Sequence, residues 1–263
     1  MSNVFFRNPD VYDKYRPSPP QELLAQLLAM NGSGTPERVV DLGCSTGNST
    51  RVWAPLAHQV IGVEPSPELC AFARTQCDSP NVEFKEGFGH DTGLPTAYAD
   101  IVCAASSIHW MDPEPTSAEI HRILKPGGLF SHYGPVKPPV TPFLELDAEF
   151  LSFFAKAKAI QQATKGAASD GRFRWDGLAD SPLMRDKFPL SRLFYMHQYM
   201  SWGAEEYKGW VKSLGMIDKL IVAQDPGLNE LMTAFFSRVD HFMKDGRCAL
   251  FFVYKVFVFK RGQ

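Results

Sequence analysis

The chain has 263 residues, 44% of them hydrophobic and 21% charged, and its 27 basic and 29 acidic residues give a formal charge of −2. That length supports one large α/β domain with an insertion, and the balanced charge removes any global electrostatic case for nucleic acid or an anionic membrane, leaving a small molecule as the expected partner. Five scattered cysteines without a C-x-x-C pair, and an N-terminus without the apolar core of a signal peptide, fit a reduced, cytoplasmic compartment.

Residues 11–20, with two tyrosines and an arginine among prolines, precede a helix whose apolar positions Leu23, Leu24, Leu27 and Leu28 recur at helical spacing and which Asn31-Gly32 ends. Tyr12, Tyr15 and Arg16 can form a flap over a site, or a surface arm with its tyrosines tucked onto the core.

The stretch that organises the rest is Val39-Val40-Asp41-Leu42-Gly43-Cys44-Ser45-Thr46-Gly47, a β-branched strand that runs into an acid and then a loop with glycines four apart. At the carboxyl end of the first strand of an open α/β sheet, such glycines let backbone N–H groups approach a nucleotide-like ligand. The dinucleotide fingerprint G-x-G-x-x-G is absent, because Ser45 stands between Gly43 and Gly47. A carboxylate at this strand end repels a pyrophosphate but suits a ligand with an ammonium and a sulfonium, so the loop favours S-adenosylmethionine over NAD.

A second strand, Gln59 to Glu64, ends in an acid 17 residues after Gly47, near where such an acid hydrogen-bonds a ribose diol. Ser66-Pro67-Glu68 then starts a helix with a cap, a proline at the first turn and an acid at the positive end of the dipole. Val82 to Lys85 predicts a third strand and Asp100 to Ala105 a fourth, with the turn-rich Phe88-Gly89-His90-Asp91 between them. A helix over about 116–124 stops at Lys125-Pro126-Gly127-Gly128, and Leu129 to Tyr133 returns as the fifth strand. Alternating strands and helices with right-handed crossovers make a doubly wound parallel sheet.

Beyond Gly134 the pattern predicts a helix over 141–163, a charged Gly- and Ser-rich connection over 165–186, and a strand from Leu190 to Tyr199. A helix capped by Ser201 runs to Leu214 with Gly215 beyond its end, another spans Pro226 to Met243, and Cys248 to Phe259 has the composition of a buried strand, too short for a membrane helix.

The strand ends should converge at one sheet edge. Gly43, Ser45 and Gly47 then face the methionine part of the cofactor, Glu64 with Pro65 the ribose, Phe88, Gly89 and His90 the adenine, and the carbonyls near Ala104 the ammonium, while Asp41 holds the other end of the cofactor from Glu64. His109, just past the fourth strand, is the candidate base, with a packed imidazole as the competing reading. Tyr12, His109, Trp110 and Trp175 are placed on the acceptor side. Trp175, Trp202 and Trp210 can line that pocket or pack a lid, and Lys156, Lys158, Lys165, Arg172 and Arg174 can form a basic rim or a solvated face. No metal site is expected.

Val39 to Gly47, Gly62-Val63-Glu64-Pro65-Ser66, Asp100-Ile101-Val102, Ile108-His109-Trp110 and Arg122 to Gly128 together resemble the ordered motifs of class I S-adenosylmethionine-dependent methyltransferases, in spacing most like the small-molecule branch that includes trans-aconitate methyltransferase. The resemblance implies a Rossmann-like, doubly wound, seven-stranded, mostly parallel sheet with its last strand antiparallel, a helical lid insertion, and an N-terminal segment around Tyr15 and Arg16 that folds over the cofactor. Ser45 departs from the glycine that many members carry. The expected organisation is a single domain over 1–263, with an N-terminal arm and helix over 1–34, a cofactor-binding core over 35–134, an acceptor-pocket lid with C-terminal sheet elements over 135–248, and a terminal strand over 249–263. The expected activity is methyl transfer to a small organic acceptor, at a carboxylate or hydroxyl oxygen first. A nicotinamide-dependent oxidoreductase and a non-catalytic S-adenosylmethionine-binding regulator are the alternatives.

Overall fold

Alternation of β-branched runs with glycine- and proline-bounded helical segments builds the sheet. In the computed structural model, which describes residues 8–32, 34–165, 173, 175 and 182–263, β1 is Arg38–Leu42, β2 Gln59–Glu64, β3 Val82–Glu86, β4 Ala99–Ala105, β5 Leu124–Pro135, β6 Leu190–Trp202 and β7 Cys248–Lys260. They form one seven-stranded sheet in the order β3-β2-β1-β4-β5-β7-β6. The pairs β1 with β2, β1 with β4, β2 with β3 and β4 with β5 are parallel. The order reverses between β1 and β4, and at such a switch point the crossovers diverge and leave a crevice at the strands' carboxyl ends.

β7 runs against β5. Gly127 N–H bonds to Gly262 and Arg261 N–H to Gly128, whereas Val136, just past the other end of β5, bonds to Val253, so partner numbers fall as β5 numbers rise.

The helices are α1 Pro9–Tyr15, α2 Gln21–Asn31, α3 Asn48–Arg51, α4 Pro67–Thr75, α5 Pro113–Ile123, α6 Leu144–Lys165, α7 Pro182–Arg185, α8 Ala204–Lys212, α9 Gly215–Val222 and α10 Pro226–Phe242. Ser66 caps α4 through the Leu69 N–H, Asp112 caps α5 through Glu114, and Asp225 caps α10 through Leu228. Gly32 ends α2 in the left-handed region, as its sequence suggests.

Three local expectations change. Residues 11–20, expected as a flap or surface arm, begin inside α1, Pro9–Tyr15, which Pro9 opens at its first turn. The cap of α8 is Gly203, whose N–H donates to the Glu206 carboxylate at 3.1 Å; Ser201 stays in β6, and its carbonyl accepts from Arg247. Gly215 opens α9 rather than closing the helix before it.

The chain divides into two compact units. One comprises Met1–Pro17, Pro135–Asp170 and His197–Val253, the other Ser18–Gly134, Gly171–Met196 and Tyr254–Gln263. In the first, aromatic rings fill the space between helices: Phe153 stacks on Phe235 at 4.6 Å and Phe150 lies 5.2 Å from Trp210. In the second, Phe130 of β5 is fully buried and stacks on Phe259 of β7 at 5.5 Å, with the Trp175 ring edge-on at 6.4 Å. Among the described residues, no helix is long and apolar enough to cross a membrane.

Candidate functional site

The loop between β1 and α3 takes its shape from three residues in the left-handed backbone region, Gly43 at φ 67°, Ser45 at 52° and Gly47 at 79°. Two of these positions also exclude a side chain on space alone. A Cβ on Gly43 would lie 2.7 Å from Ser107 Cβ and 2.9 Å from Met111 Cε, and one on Gly47 would lie 2.6 Å from the Phe84 ring. Ser45 holds the same conformation with a side chain, at a cost of about 1 kcal/mol or more. The loop is folded back over β2, whose Val63 carbonyl accepts from the N–H groups of Gly43 and Cys44 at 2.7 and 3.1 Å.

Two acids anchor this loop from different sides. Glu64, at the end of β2, accepts from the Ser45 N–H at 3.0 Å and from the Ser66 N–H at 3.1 Å. It is only 4% exposed, and burial raises its carboxyl above the ordinary value against the pull of those two backbone bonds. Asp41 is fully buried. It accepts from Thr50 Oγ1 at 2.8 Å and from Cys103 Sγ at 3.6 Å, so it ties the start of α3 and the middle of β4 to β1. Burial pushes its carboxyl up to about 6, opposed by the Thr50 and Cys103 bonds. The neighbouring Cys44 and Cys103 thiols are pushed well up by the same burial.

Two further segments complete the edge. After β3, the Phe88 N–H bonds to the Asp91 carbonyl at 2.9 Å, closing a tight turn that leaves the Phe88 ring 54% exposed and stacked on His90 at 5.4 Å. A Cβ on Gly89 would lie 2.5 Å from Met111 Sδ, so the Met111 thioether fills the space beside both Gly43 and Gly89. Glu119 of α5 holds the far end of this turn, accepting from the Thr92 N–H at 3.0 Å, the Thr92 hydroxyl at 2.5 Å and Arg122 at 2.7 and 2.8 Å. Burial raises the Glu119 carboxyl, but the bonds from Arg122 and Thr92 outweigh it and leave it below the ordinary value.

After β4, Ser107 Oγ donates to the Leu42 carbonyl at 2.6 Å, pinning the exit of β4 to the exit of β1. Ile108–Trp110 then forms one 3₁₀ turn that presents His109 and Trp110 half-buried, with ring centroids 5.0 Å apart. Ala104 is fully buried on β4 beside His132 of β5.

In the unit formed around β1 to β5, the structure therefore brings together Gly43, Ser45, Gly47, Glu64, Pro65, the Phe88 to His90 turn, Ala104, His109 and Trp110, with Asp41 directly beneath. Asp41 is fully buried, and its carboxylate accepts from Thr50 and Cys103. Trp175 belongs to the same unit but is 4% exposed, and its indole N–H donates to the Met111 carbonyl at 2.9 Å, so it packs rather than lines a pocket. Trp202 and Trp210 are buried in the other unit. So are the contacts of the N-terminal candidates: Arg16 donates to the Ser213 carbonyl at 3.3 Å and stacks over the Tyr12 ring at 5.1 Å, and Tyr15 lies on Gly209. Lys156 and Lys158 are exposed on α6, while Arg172, Arg174 and the Lys165 side chain lie outside the described residues.

Sequence reasoning passed over Thr50, Ser107, Met111 and Glu119. Thr50 carried a usable signal, three residues beyond Gly47 in the first turn of the helix that the loop opens. The others are ordinary residues whose partners, such as Leu42 for Ser107, Thr92 for Glu119 and the space beside Gly43 and Gly89 for Met111, lie far from them in sequence.

Residues 40–131 match the family model described as a methyltransferase domain. The chain is 30% identical over 139 residues to a Saccharomyces cerevisiae protein named a probable S-adenosylmethionine-dependent methyltransferase, CRG1, covering 51% of this chain and 47% of that one. It is 28% identical over 135 residues to the malonyl-[acyl-carrier protein] O-methyltransferase of Pectobacterium atrosepticum, covering 50% and 51% respectively. The chain thus spans about half the length of the curated relatives it matches. A structure from Anaeromyxobacter dehalogenans designated a type II methyltransferase superposes with a TM-score of 0.67 at 17% identity, over 94% of this chain and 98% of that one, a likeness of fold.

Proposed function

We propose that this chain, whose residues 40–131 match the family model described as a methyltransferase domain, is a class I S-adenosylmethionine-dependent enzyme that moves a methyl group to an oxygen of a small organic acceptor. The observation that carries this is the meeting of the Glu64 carboxylate with the Ser45 N–H at 3.0 Å, at the switch point of the sheet. A ribose diol needs a strand-end acceptor, and the rest of a sulfonium amino acid needs an open-backbone loop beside it. Both are present. The buried Ser45 hydroxyl has no partner among the described residues, so a polar ligand at the loop gains a hydrogen bond that the protein alone leaves unmade.

When bound, S-adenosylmethionine supplies an electrophilic methyl on a sulfonium. Glu64 holds the ribose, the backbone around Gly43 to Gly47 with Ser45 Oγ the amino-acid end, and the exposed Phe88 ring with His90 the adenine. Asp41 is a positioning residue: through Thr50 and Cys103 it keeps the loop, α3 and β4 in one arrangement. His109 and Trp110 shape the acceptor side. Displacement at a sulfonium quenches a charge, so alignment and exclusion of water are the main demands on the protein, and a carboxylate acceptor has no proton to lose.

The test is incubation of the purified protein with radiolabelled S-adenosylmethionine and a metabolite extract, beside a fluorescence titration with NADH. Labelled small-molecule product and no NADH binding is the expected result. NADH binding without methyl transfer would overturn the reading in favour of an oxidoreductase, and S-adenosylmethionine binding without any product would reduce it to a cofactor-binding regulator.

A further inference from the structure

Two adjacent serines at the exit of β4 face opposite neighbours. Ser107 is buried, and its Oγ donates to the Leu42 carbonyl at 2.6 Å, turning toward β1. Ser106 is exposed and turns toward β5, where its hydroxyl occupies the space above Gly134: a Cβ on that glycine would lie 2.5 Å from Ser106 Oγ and 3.5 Å from Ser106 Cα. The Ser106 N–H donates to the Tyr133 carbonyl at 2.7 Å, which fixes this turn to the carboxyl end of β5.

Holding the hydroxyl there costs stability. Ser106 has φ 56°, in the left-handed region that a side chain disfavours, and among the described residues only Ser45, Ala97 and Gln224 share that condition without being glycine. Gly134 lies outside that region, so its own backbone does not require glycine; the room taken by the Ser106 hydroxyl does. Glycine at 106 would relax the turn, yet a serine stands there. Strain kept at the carboxyl edge of a parallel sheet points to a side chain with work beyond the fold.

The direction of the hydroxyl selects that work. In the order β3-β2-β1-β4-β5, the groups proposed for the cofactor are the Gly43 to Gly47 loop, Glu64 and the Phe88 to His90 turn, which follow β1, β2 and β3 on one side of β4. Ser106 turns to the other side, and His109 follows it by three residues. An exposed O–H there offers one donor to an oxygen of the acceptor.

We propose that Ser106 is an acceptor-binding residue, whose hydroxyl donates to one oxygen of an acceptor carboxylate and thereby aims the other oxygen at the transferred methyl. This rests on the methyl-transfer reading above. The free oxygen forms the new C–O bond as the C–S bond of the sulfonium breaks and its electron pair stays on sulfur, and Ser106 keeps its proton throughout. The carboxylate loses its charge as the ester forms, so this hydrogen bond is strongest before the reaction. Its loss therefore weakens acceptor binding more than it slows the chemical step.

The experiment uses the full chain. Calorimetry with S-adenosylmethionine comes first, then transfer of its tritiated methyl group across a dilution series of a metabolite extract, which gives an apparent KM and kcat. Ser106→Gly removes the hydroxyl and the strain together. Its melting temperature should hold or rise, by up to roughly 2–4 °C, while the apparent KM rises about tenfold and kcat and cofactor affinity stay nearly unchanged. Ser106→Ala, which keeps the strained backbone, should raise KM alike without the gain in stability. The label should be released by mild alkali, as from a methyl ester. An unchanged KM in both variants overturns the proposal, as does alkali-stable label. Tenfold weaker S-adenosylmethionine binding would put the hydroxyl on the cofactor side, and a lower melting temperature for Ser106→Gly would make it a structural group; either result overturns the proposal too. All of these leave methyl transfer standing, whereas a parent protein that binds the cofactor and labels nothing overturns both.

Discussion

The ring of Tyr15 rests directly on the backbone of Gly209 in α8, where any Cβ would overlap it. Alanine in a helix interior is about 1 kcal/mol more favourable than glycine, so at an unobstructed position Gly209→Ala would stabilise the protein. Here the added methyl must displace the Tyr15 ring. Gly209→Ala should loosen α1 and expose the Lys14–Tyr15 bond to trypsin, while in a Tyr15→Ala background the same change should raise the melting temperature. A rise of similar size in both backgrounds would show that Tyr15 is not seated on this glycine.

Asp41 predicts an unusual pH dependence. Its carboxyl rises from the ordinary 3.8 to about 6 because it is buried, so the folded state holds the proton more tightly than the unfolded chain. Stability from this group is therefore fully present below about pH 3.8 and is lost as pH rises through about 6, by roughly 3 kcal/mol in total. Asp41→Asn keeps an acceptor for Thr50 and removes the titration. Urea unfolding between pH 4 and 7 should show a shallower decline with rising pH in the variant than in the parent; parallel profiles would count against it.

Glu64→Ala removes a charged acceptor from two backbone N–H groups, at Ser45 and Ser66, and, on the proposed cofactor-binding role, from the ribose as well. Each such bond is worth roughly 1.5–3 kcal/mol, so S-adenosylmethionine affinity and loop order should both suffer. Calorimetry should register at least a tenfold weaker binding, about 1.4 kcal/mol. Unchanged affinity would remove Glu64 from the cofactor side.

His109→Ala should cut turnover while leaving cofactor affinity nearly as it was, because the residue lies beyond Ser107 at the far end of the β4 exit. His109→Gln, polar but unable to take up a proton at neutral pH, should recover much of the rate if the ring positions the acceptor. Loss of cofactor binding with normal turnover would place His109 elsewhere in the site.

Glu119→Ala should free the turn after β3, which hangs on this side chain through Thr92 and Arg122. The Arg122 guanidinium then keeps its bonds to Thr96 and the Leu94 carbonyl but loses its charge partner beside a partly buried loop, so a lower melting temperature should accompany a higher KM for S-adenosylmethionine. A normal KM with lowered stability would make the clamp purely structural.

The strands were plain in the sequence because parallel strands buried on both faces need unbroken apolar runs, and Val39-Val40 and Ile101-Val102-Cys103 supply them. Gly43 and Gly47 announced the loop through spacing alone. What sequence could not convey is direction. Asp41 reads as a ligand acid because it ends a strand, but only the fold reveals that Thr50 and Cys103 reach its oxygens first. α1 was hidden by the prolines around it, and Gly203 by a serine two residues earlier with better capping chemistry. Trp175 drew attention by size, yet it is buried against Phe130, a packing that no local pattern encodes.

The pairing of β5 with β7 has a consequence during synthesis. β5 ends at Pro135, yet the strand that covers its edge does not begin until Cys248, and the Phe259 ring that stacks on Phe130 comes later still. A chain emerging from the ribosome therefore carries β5 with an open hydrogen-bonding edge and an uncovered Phe130 while more than a hundred further residues are made. At 5–20 residues per second that interval lasts roughly 5–25 s, ample time for a chaperone to bind or for two nascent chains to pair along that edge.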